Sequence, residues 1–158
     1  MEAIKSVLVA VLFICLVPLA YVLTQVRRRQ LSDHHVSLRE QRPVPFLVAI
    51  GSVIVGLALL RTLGAPQMLL ALIVAMLAGL AVSLLVTLAW KISMHVATLS
   101  GAVVIVLLVF GPWLLPIVAL VILQGWARMQ LRDHTLGQVL SGAAVGATVA
   151  AAVFLPLR

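Results

Sequence analysis

Apolar residues in this chain fall into six runs that are separated by short polar segments. A helix that crosses the hydrocarbon core of a bilayer, roughly 30 Å thick, needs about 20 apolar residues. The six runs come near that length, so the pattern predicts an all-α integral membrane bundle of six transmembrane helices in a single domain, 1–158. The predicted spans are about 6–26, 44–60, 66–90, 95–110, 113–127 and 138–156.

Two further features organise the predicted bundle. The Gly111-Pro112 pair cannot easily continue a helix, so runs four and five should form a tight helical hairpin. Residues 27–43 are too polar to cross a membrane and are expected to lie at its surface. Gly142 and Gly146 have the GxxxG spacing; we favour close packing inside the bundle over a homo-oligomer interface for this pair.

The composition agrees with a membrane protein. The chain is 64% hydrophobic and 9% charged, and its mean hydropathy of +1.26 lies outside the range of soluble domains. Eleven Lys and Arg against four acidic residues give a net charge of +7. Since these cations lie between apolar runs, we expect membrane lipids with anionic headgroups as partners and no nucleic acid. Cys15 is the only cysteine, which excludes a disulfide within one chain.

Six spans would bring segments 27–43, 91–94 and 128–137 to the same membrane face. The positive-inside rule then predicts a cytoplasmic face, and we expect the plasma membrane of a prokaryote. That rule explains the cations but not the histidines, and ionisable groups gathered at one end of a bundle indicate a functional site. In or directly beside these segments lie all four histidines and eight cations: His34, His35, His95, His134, Arg27, Arg28, Arg29, Arg39, Arg42, Lys91, Arg128 and Arg132.

The last of these segments has the most informative spacing. If the sixth helix begins near His134, with Asp133 as its N-cap, then His134 and Gln138 share one helix face. The Gln138 amide would then accept a hydrogen bond from one imidazole nitrogen and leave the other nitrogen as a nucleophile. Taken alone, Arg128 and His134 are better explained by contact with lipid headgroups.

The segment from Lys91 to His95 strengthens the catalytic interpretation. Phosphoryl transfer needs cations and hydrogen-bond donors on the phosphate oxygens, and a proton for the leaving alkoxide. Lys91, Ser93 and Arg128 suit the first role, and His95 suits the second. Lys91 is also a plausible anchor of its helix at the membrane surface.

These residues resemble the type 2 phosphatidic acid phosphatase superfamily, which includes bacterial acid phosphatases and vanadium haloperoxidases. Its motifs are KxxxxxxRP, PSGH and SRxxxxxHxxxD. Arg128 and His134 match the third motif, with Gln138 where the family has Asp. Ser93 and His95 match the second.

The first motif is matched only in part. Arg42-Pro43 corresponds to its end, and His35 stands where the family has Lys. Lys91, Arg39 or protonated His35 are the candidate replacements for that lysine. Asp33 or Asp133 could replace the carboxylate that is absent at position 138.

The resemblance implies an integral-membrane hydrolase that removes phosphate from a lipid phosphate or diphosphate monoester, such as phosphatidic acid or a polyprenyl diphosphate. His134 would form a phosphohistidine and His95 would protonate the leaving alcohol. Arg128, Arg42 and Ser93 would bind the phosphate. The resemblance implies neither a metal nor another cofactor.

Two other functions stay open from the sequence. One is a catalytically weak or inactive relative that binds lipid phosphate or acts as a membrane scaffold, because Gln138 carries no charge. The other is a metal-dependent hydrolase or a transporter. It is disfavoured because His34-His35 lack the i, i+4 spacing that places two ligands on one helix face. In that alternative the metal ligands would be Asp33, His34, His35, His95 and His134.

Overall fold

Helices and the short segments between them make up the computed structural model, which describes residues 2–33, 36 and 38–158. No strand occurs in this part of the chain, which confirms the all-α prediction. Helix α1 consists of three consecutive segments, and a short 3-10 turn precedes α2. The elements are α1 (Glu2–Val11, the π-helical turn Leu12–Leu16 and Val17–Arg27), the turn Arg39–Gln41, α2 (Pro43–Thr62), α3 (Gln67–Ala89), α4 (Met94–Phe110), α5 (3-10 segment Pro112–Ile117, then Val118–Gln130) and α6 (Leu136–Leu157).

Five helices in the described chain are long and apolar enough to cross a membrane. The fold is therefore that of an integral membrane protein, and the large apolar side chains on its outer surface, such as Leu85, Ile122 and Trp113, suit a lipid environment. Helix α4 is also apolar but has only 17 residues. The five long helices are Ile4–Arg27, Pro43–Thr62, Gln67–Ala89, Pro112–Gln130 and Leu136–Leu157.

Helix breakers separate α4 from α5. Gly111 has a φ of 104°, a conformation that L side chains rarely adopt, and Pro112 begins the 3-10 segment of α5. Pro116 lies inside that segment, so the regular α-helix starts only at Val118.

A π-helical turn in α1 precedes the part of that helix which reaches the functional region. In the π-helical turn an N–H bonds to the carbonyl five residues earlier, and Pro18 has no N–H for the Phe13 carbonyl; Ser52 Oγ of α2 donates to that carbonyl instead. Gly56 of α2 lets the two helices approach, because a Cβ there would lie 2.7 Å from Phe13 Cβ. The residues after the turn then pack against α2.

Helix α6 packs against both α3 and α4, and its glycines allow the closest approach. A Cβ on Gly142 would lie 2.6 Å from the Ser93 carbonyl oxygen, and one on Gly146 would overlap the Ala97 carbonyl. Ser100 Oγ also donates to the Ala143 carbonyl at 2.9 Å. Gly142 and Gly146 therefore serve helix packing within the chain, whereas a homo-oligomer through them stays a prediction.

We expect Gly146→Ala to destabilise the protein, because the added methyl meets backbone that cannot move aside. Overpacking of this kind costs typically about 1–3 kcal/mol. Gly79→Ala is the matched control, since nothing lies within 4 Å of a Cβ at that position of α3, and helix propensity should make it neutral or stabilising. Unfolding in mixed detergent micelles, followed by circular dichroism, measures both. Equal stability of the two variants would contradict this packing.

Candidate active site

Three segments that connect helices contact each other at one end of the bundle. Arg42, which precedes α2, donates from Nη1 to the Ile92 carbonyl at 3.2 Å. Lys91 Nζ donates to the Asp133 carbonyl at 3.0 Å, and Ser93 N donates to the Gln138 carbonyl at 3.1 Å. The α3–α4 connection thus holds the other two segments in place.

A cavity of about 300 Å³ opens where these segments meet. One part of its wall carries charged and titratable side chains, and the other part is apolar and comes mainly from α1, α2 and α3, with one residue each from the α1–α2 connection and α4. An amphiphile with an anionic head and a hydrocarbon tail would match both parts. The polar wall comprises Arg42, Lys91, His95, Arg128, Asp133 and His134, and the apolar wall Pro18, Leu19, Val22, Val36, Pro45, Phe46, Ala49, Leu80 and Met94.

Arg42 is a buried cation at the cavity, with only 6% of its surface exposed. Its Nε donates to the Val36 carbonyl at 2.9 Å, in addition to the bond from Nη1 to Ile92. Burial lowers the pKa of Arg42 from its ordinary value, and the carboxylate of Asp33 raises it in part. A guanidinium has five N–H donors, so the contacts to Val36 and Ile92 leave further N–H groups for an anion in the cavity.

Arg128 reaches the same cavity from the end of α5. Its Nη1 contacts Asp133 Oδ2 at 3.3 Å, and Nε is buried with no hydrogen-bond partner among the described residues. A buried donor without a partner costs about 1–3 kcal/mol, so a bound acceptor would be favourable there. The contact of Nη1 with Asp133 makes Asp133 the ion-pair partner of Arg128, whereas Nε is left for a ligand.

The start of α6 differs from the prediction. Asp133 is not its N-cap; Thr135 is, and the helix begins at Leu136. The sequence contains the signal for this, because Thr135-Leu-Gly-Gln138 fits the capping-box pattern of Ser or Thr followed three residues later by Glu or Gln. His134 precedes the helix, yet its Nδ1 still lies 3.2 Å from Gln138 Oε1, because the capping box turns the Gln138 side chain back.

Burial and two nearby cations favour the neutral form of His134. Burial lowers the pKa of His134 below its ordinary value of 6.5, and the nearby cations Lys91 and Arg42 lower it further. The hydrogen bond to Gln138 and the carboxylate of Asp133 act in the opposite direction and raise the pKa. Asp133 thus supplies some negative charge near the imidazole, but Gln138 is the group that bonds to it.

The other predicted site residues have different positions. His95 lies in the first turn of α4 and lines the cavity. Ser93 is the N-cap of α4 and is fully buried behind the cavity wall; its Oγ has no partner among the described residues, and its predicted contact with phosphate stays a prediction. Arg39 begins the 3-10 turn Arg39–Gln41. His35 lies outside the described residues.

The metal hypothesis gains no support from the part of the chain that the structure covers. Within it, no group of three or more His, Cys, Asp or Glu side chains could hold a metal ion. His34, like His35, lies outside that part.

The low pKa of His134 predicts how the protein responds to pH. An NMR titration of ¹⁵N-histidine-labelled protein in micelles, with the signal assigned through His134→Gln, should give a pKa below about 6.5. Because the unfolded chain then binds the proton more tightly, the stability that neutral His134 contributes is present above pH about 6.5 and is lost as the pH falls through the folded pKa. A value at or above 6.5 would contradict the prediction that burial, Lys91 and Arg42 outweigh the opposing effects of Gln138 and Asp133 on the His134 pKa.

Comparison of the chain with protein-family models, with curated proteins and with solved structures finds no significant match. A functional assignment must therefore be based on the residues of the cavity themselves.

Proposed function

We propose that the protein is an integral-membrane lipid phosphatase of the type 2 phosphatidic acid phosphatase kind, acting on a lipid phosphate or diphosphate monoester. One observation carries this proposal: Arg42, Lys91 and Arg128 line the same cavity as His95 and His134. Among the described residues that line the cavity, three are cations and one, Asp133, is a carboxylate, and this excess of positive charge favours an anionic ligand.

The remaining features of the cavity support a lipid as the carrier of that anion. The unpartnered Nε–H of Arg128 suits a phosphate oxygen, and the donors of Arg42 that do not bond to backbone suit another. The apolar wall, which includes Leu19, Phe46 and Leu80, suits a hydrocarbon chain next to the phosphate. Inorganic phosphate alone would leave that wall without a ligand.

The proposed reaction has two steps. Nε2 of His134 attacks phosphorus, the bond between phosphorus and the lipid oxygen breaks, and His95 gives its proton to that oxygen. Water then attacks the phosphohistidine, neutral His95 takes the proton of the water, and the bond between phosphorus and Nε2 breaks to release inorganic phosphate. Arg42, Lys91 and Arg128 stabilise the charge on the phosphate oxygens in both steps.

The proposed topology has six spans: the five long helices and, in addition, the shorter helix α4. Its 17 residues fall at the short end of the range of about 17–25 residues that span a bilayer. The cavity then opens near one membrane face and both termini lie at the other. The excess of Lys and Arg on the cavity side favours the cytoplasm for that face.

We expect the purified protein to release phosphate from phosphatidic acid or a polyprenyl diphosphate in mixed micelles. His134→Ala should lower the rate by at least about 10³-fold, since it removes the nucleophile, and Arg128→Gln should lower it by about 10²–10³-fold through lost charge stabilisation. Substrate labelled with ³²P should leave an acid-labile, base-stable label on the wild-type protein. Malachite-green detection of phosphate measures the rates.

Arg132→Gln is the matched control for Arg128→Gln, because Arg132 is an exposed cation of the same segment that does not line the cavity. Its rate should equal that of the wild type. Full activity of His134→Ala would refute the assignment of the nucleophile. Binding of the lipid phosphate without any release of phosphate would instead identify a non-enzymatic relative, for which the neutral Gln138 is the supporting observation.

A further inference from the structure

The capping box at the start of α6 also contacts the imidazole of His134. Gln138 N contacts Thr135 Oγ1 at 3.4 Å, and Gln138 Oε1 accepts from Thr135 N at 3.2 Å. The same Oε1 atom lies 3.2 Å from His134 Nδ1. One amide oxygen thus joins the helix N-cap to the imidazole.

This double contact fixes the orientation of the Gln138 amide. A backbone N–H can only donate, so the Gln138 atom that faces Thr135 N must be the carbonyl oxygen and not the NH₂ group. A carbonyl oxygen has two lone pairs, one for Thr135 N–H and one for a second donor. The nitrogen of His134 that faces it must therefore be protonated.

From this geometry we propose that Thr135 and Gln138 are positioning residues that hold His134 as the Nδ1–H tautomer, with the lone pair of Nε2 free. The significance for catalysis rests on the proposed function, because it is Nε2 that would attack phosphorus. The capping box would then perform, with a neutral amide, the orienting role that the resemblance assigns to a carboxylate.

The charged surroundings explain why a neutral acceptor suffices. Lys91 and Arg42 both disfavour an imidazolium, so a hydrogen bond has only to select the tautomer of a neutral ring. Asp133 is paired with Arg128, and His95 lies on the same cavity wall. A carboxylate at position 138 would bring a full negative charge to the ring and raise its pKa.

The backbone holds this arrangement in place. The Gln138 carbonyl accepts from Ser93 N at 3.1 Å, and Lys91 Nζ donates to the Asp133 carbonyl at 3.0 Å. Asp133, directly before the His134–Thr135 pair, and Gln138, three residues after it, are thus both tied to the α3–α4 connection. Loss of the N-cap would fray the first turn of α6 and release the Gln138 side chain.

The test measures the His134 tautomer by ¹⁵N NMR at a pH one to two units above the His134 pKa, without substrate. We expect the Nδ1–H form in the wild type and in Thr135→Ser, which keeps the capping hydroxyl. Gln138→Met removes the acceptor and Thr135→Val removes the cap, so both should show the Nε2–H form, which free histidine prefers, in at least half of the molecules. An Nε2–H wild type, or an unchanged tautomer in either Gln138→Met or Thr135→Val, overturns the proposal.

Gln138→Glu provides a second measurement. Glutamate also fits the capping box, so the tautomer should persist, but its charge should raise the His134 pKa by about one unit or more. The acidic limb of the phosphate-release profile should move upward by the same amount. An unshifted NMR titration would contradict the contact at position 138.

The experiments can refute the tautomer proposal and the proposed phosphatase function independently of each other. The tautomer is read from the resting protein, so absence of phosphate release would refute only the proposed function. Unchanged far-UV circular dichroism and an unchanged His95 signal show that a variant is folded.

Discussion

The close backbone contact between α4 and α6 is the constraint on which the polar end of the protein depends. Gly142 and Gly146 let α6 approach until its backbone touches Ser93 and Ala97. Only at that separation can Ser93 N reach the Gln138 carbonyl, and this bond aligns the start of α6 with the α3–α4 connection. The position of His134 beside Lys91 follows from helix packing several residues away.

A second constraint is the need to satisfy polar groups in apolar surroundings. Carbonyls that packed helices and segments shield from water need donors from the protein, and side chains with several donors supply them here. Arg42 bonds to the carbonyls of Val36 and Ile92, and Lys91 bonds to that of Asp133. The same cations also line the cavity, so the groups that hold the segments together give the cavity its charge.

The neutral Gln138, at the position where the proposed family would have a carboxylate, is consistent with that charge. Two cations near His134 already disfavour its protonation, whereas a buried carboxylate would favour it. Burial and these cations keep the pKa of His134 low, and a neutral amide directs one nitrogen without adding a negative charge beside the ring. In the proposed mechanism the cost would fall on the phosphorylated state, in which the cationic imidazole would depend on Asp133, the carboxylate nearest to it in sequence, for compensating charge.

The sequence by itself determined the all-α class and the membrane character, because apolar runs and helix breakers such as Gly111-Pro112 act locally. It also singled out His134, His95, Arg128 and Lys91 from their spacing. It placed the N-cap at Asp133 instead of Thr135, although the capping-box pattern is local and was available. Only the tertiary structure decided which groups share the cavity, since that depends on the packing of helices distant in sequence. The burial of Ser93 behind the wall and the pairing of Asp133 with Arg128 are contacts of this kind, which no local pattern encodes.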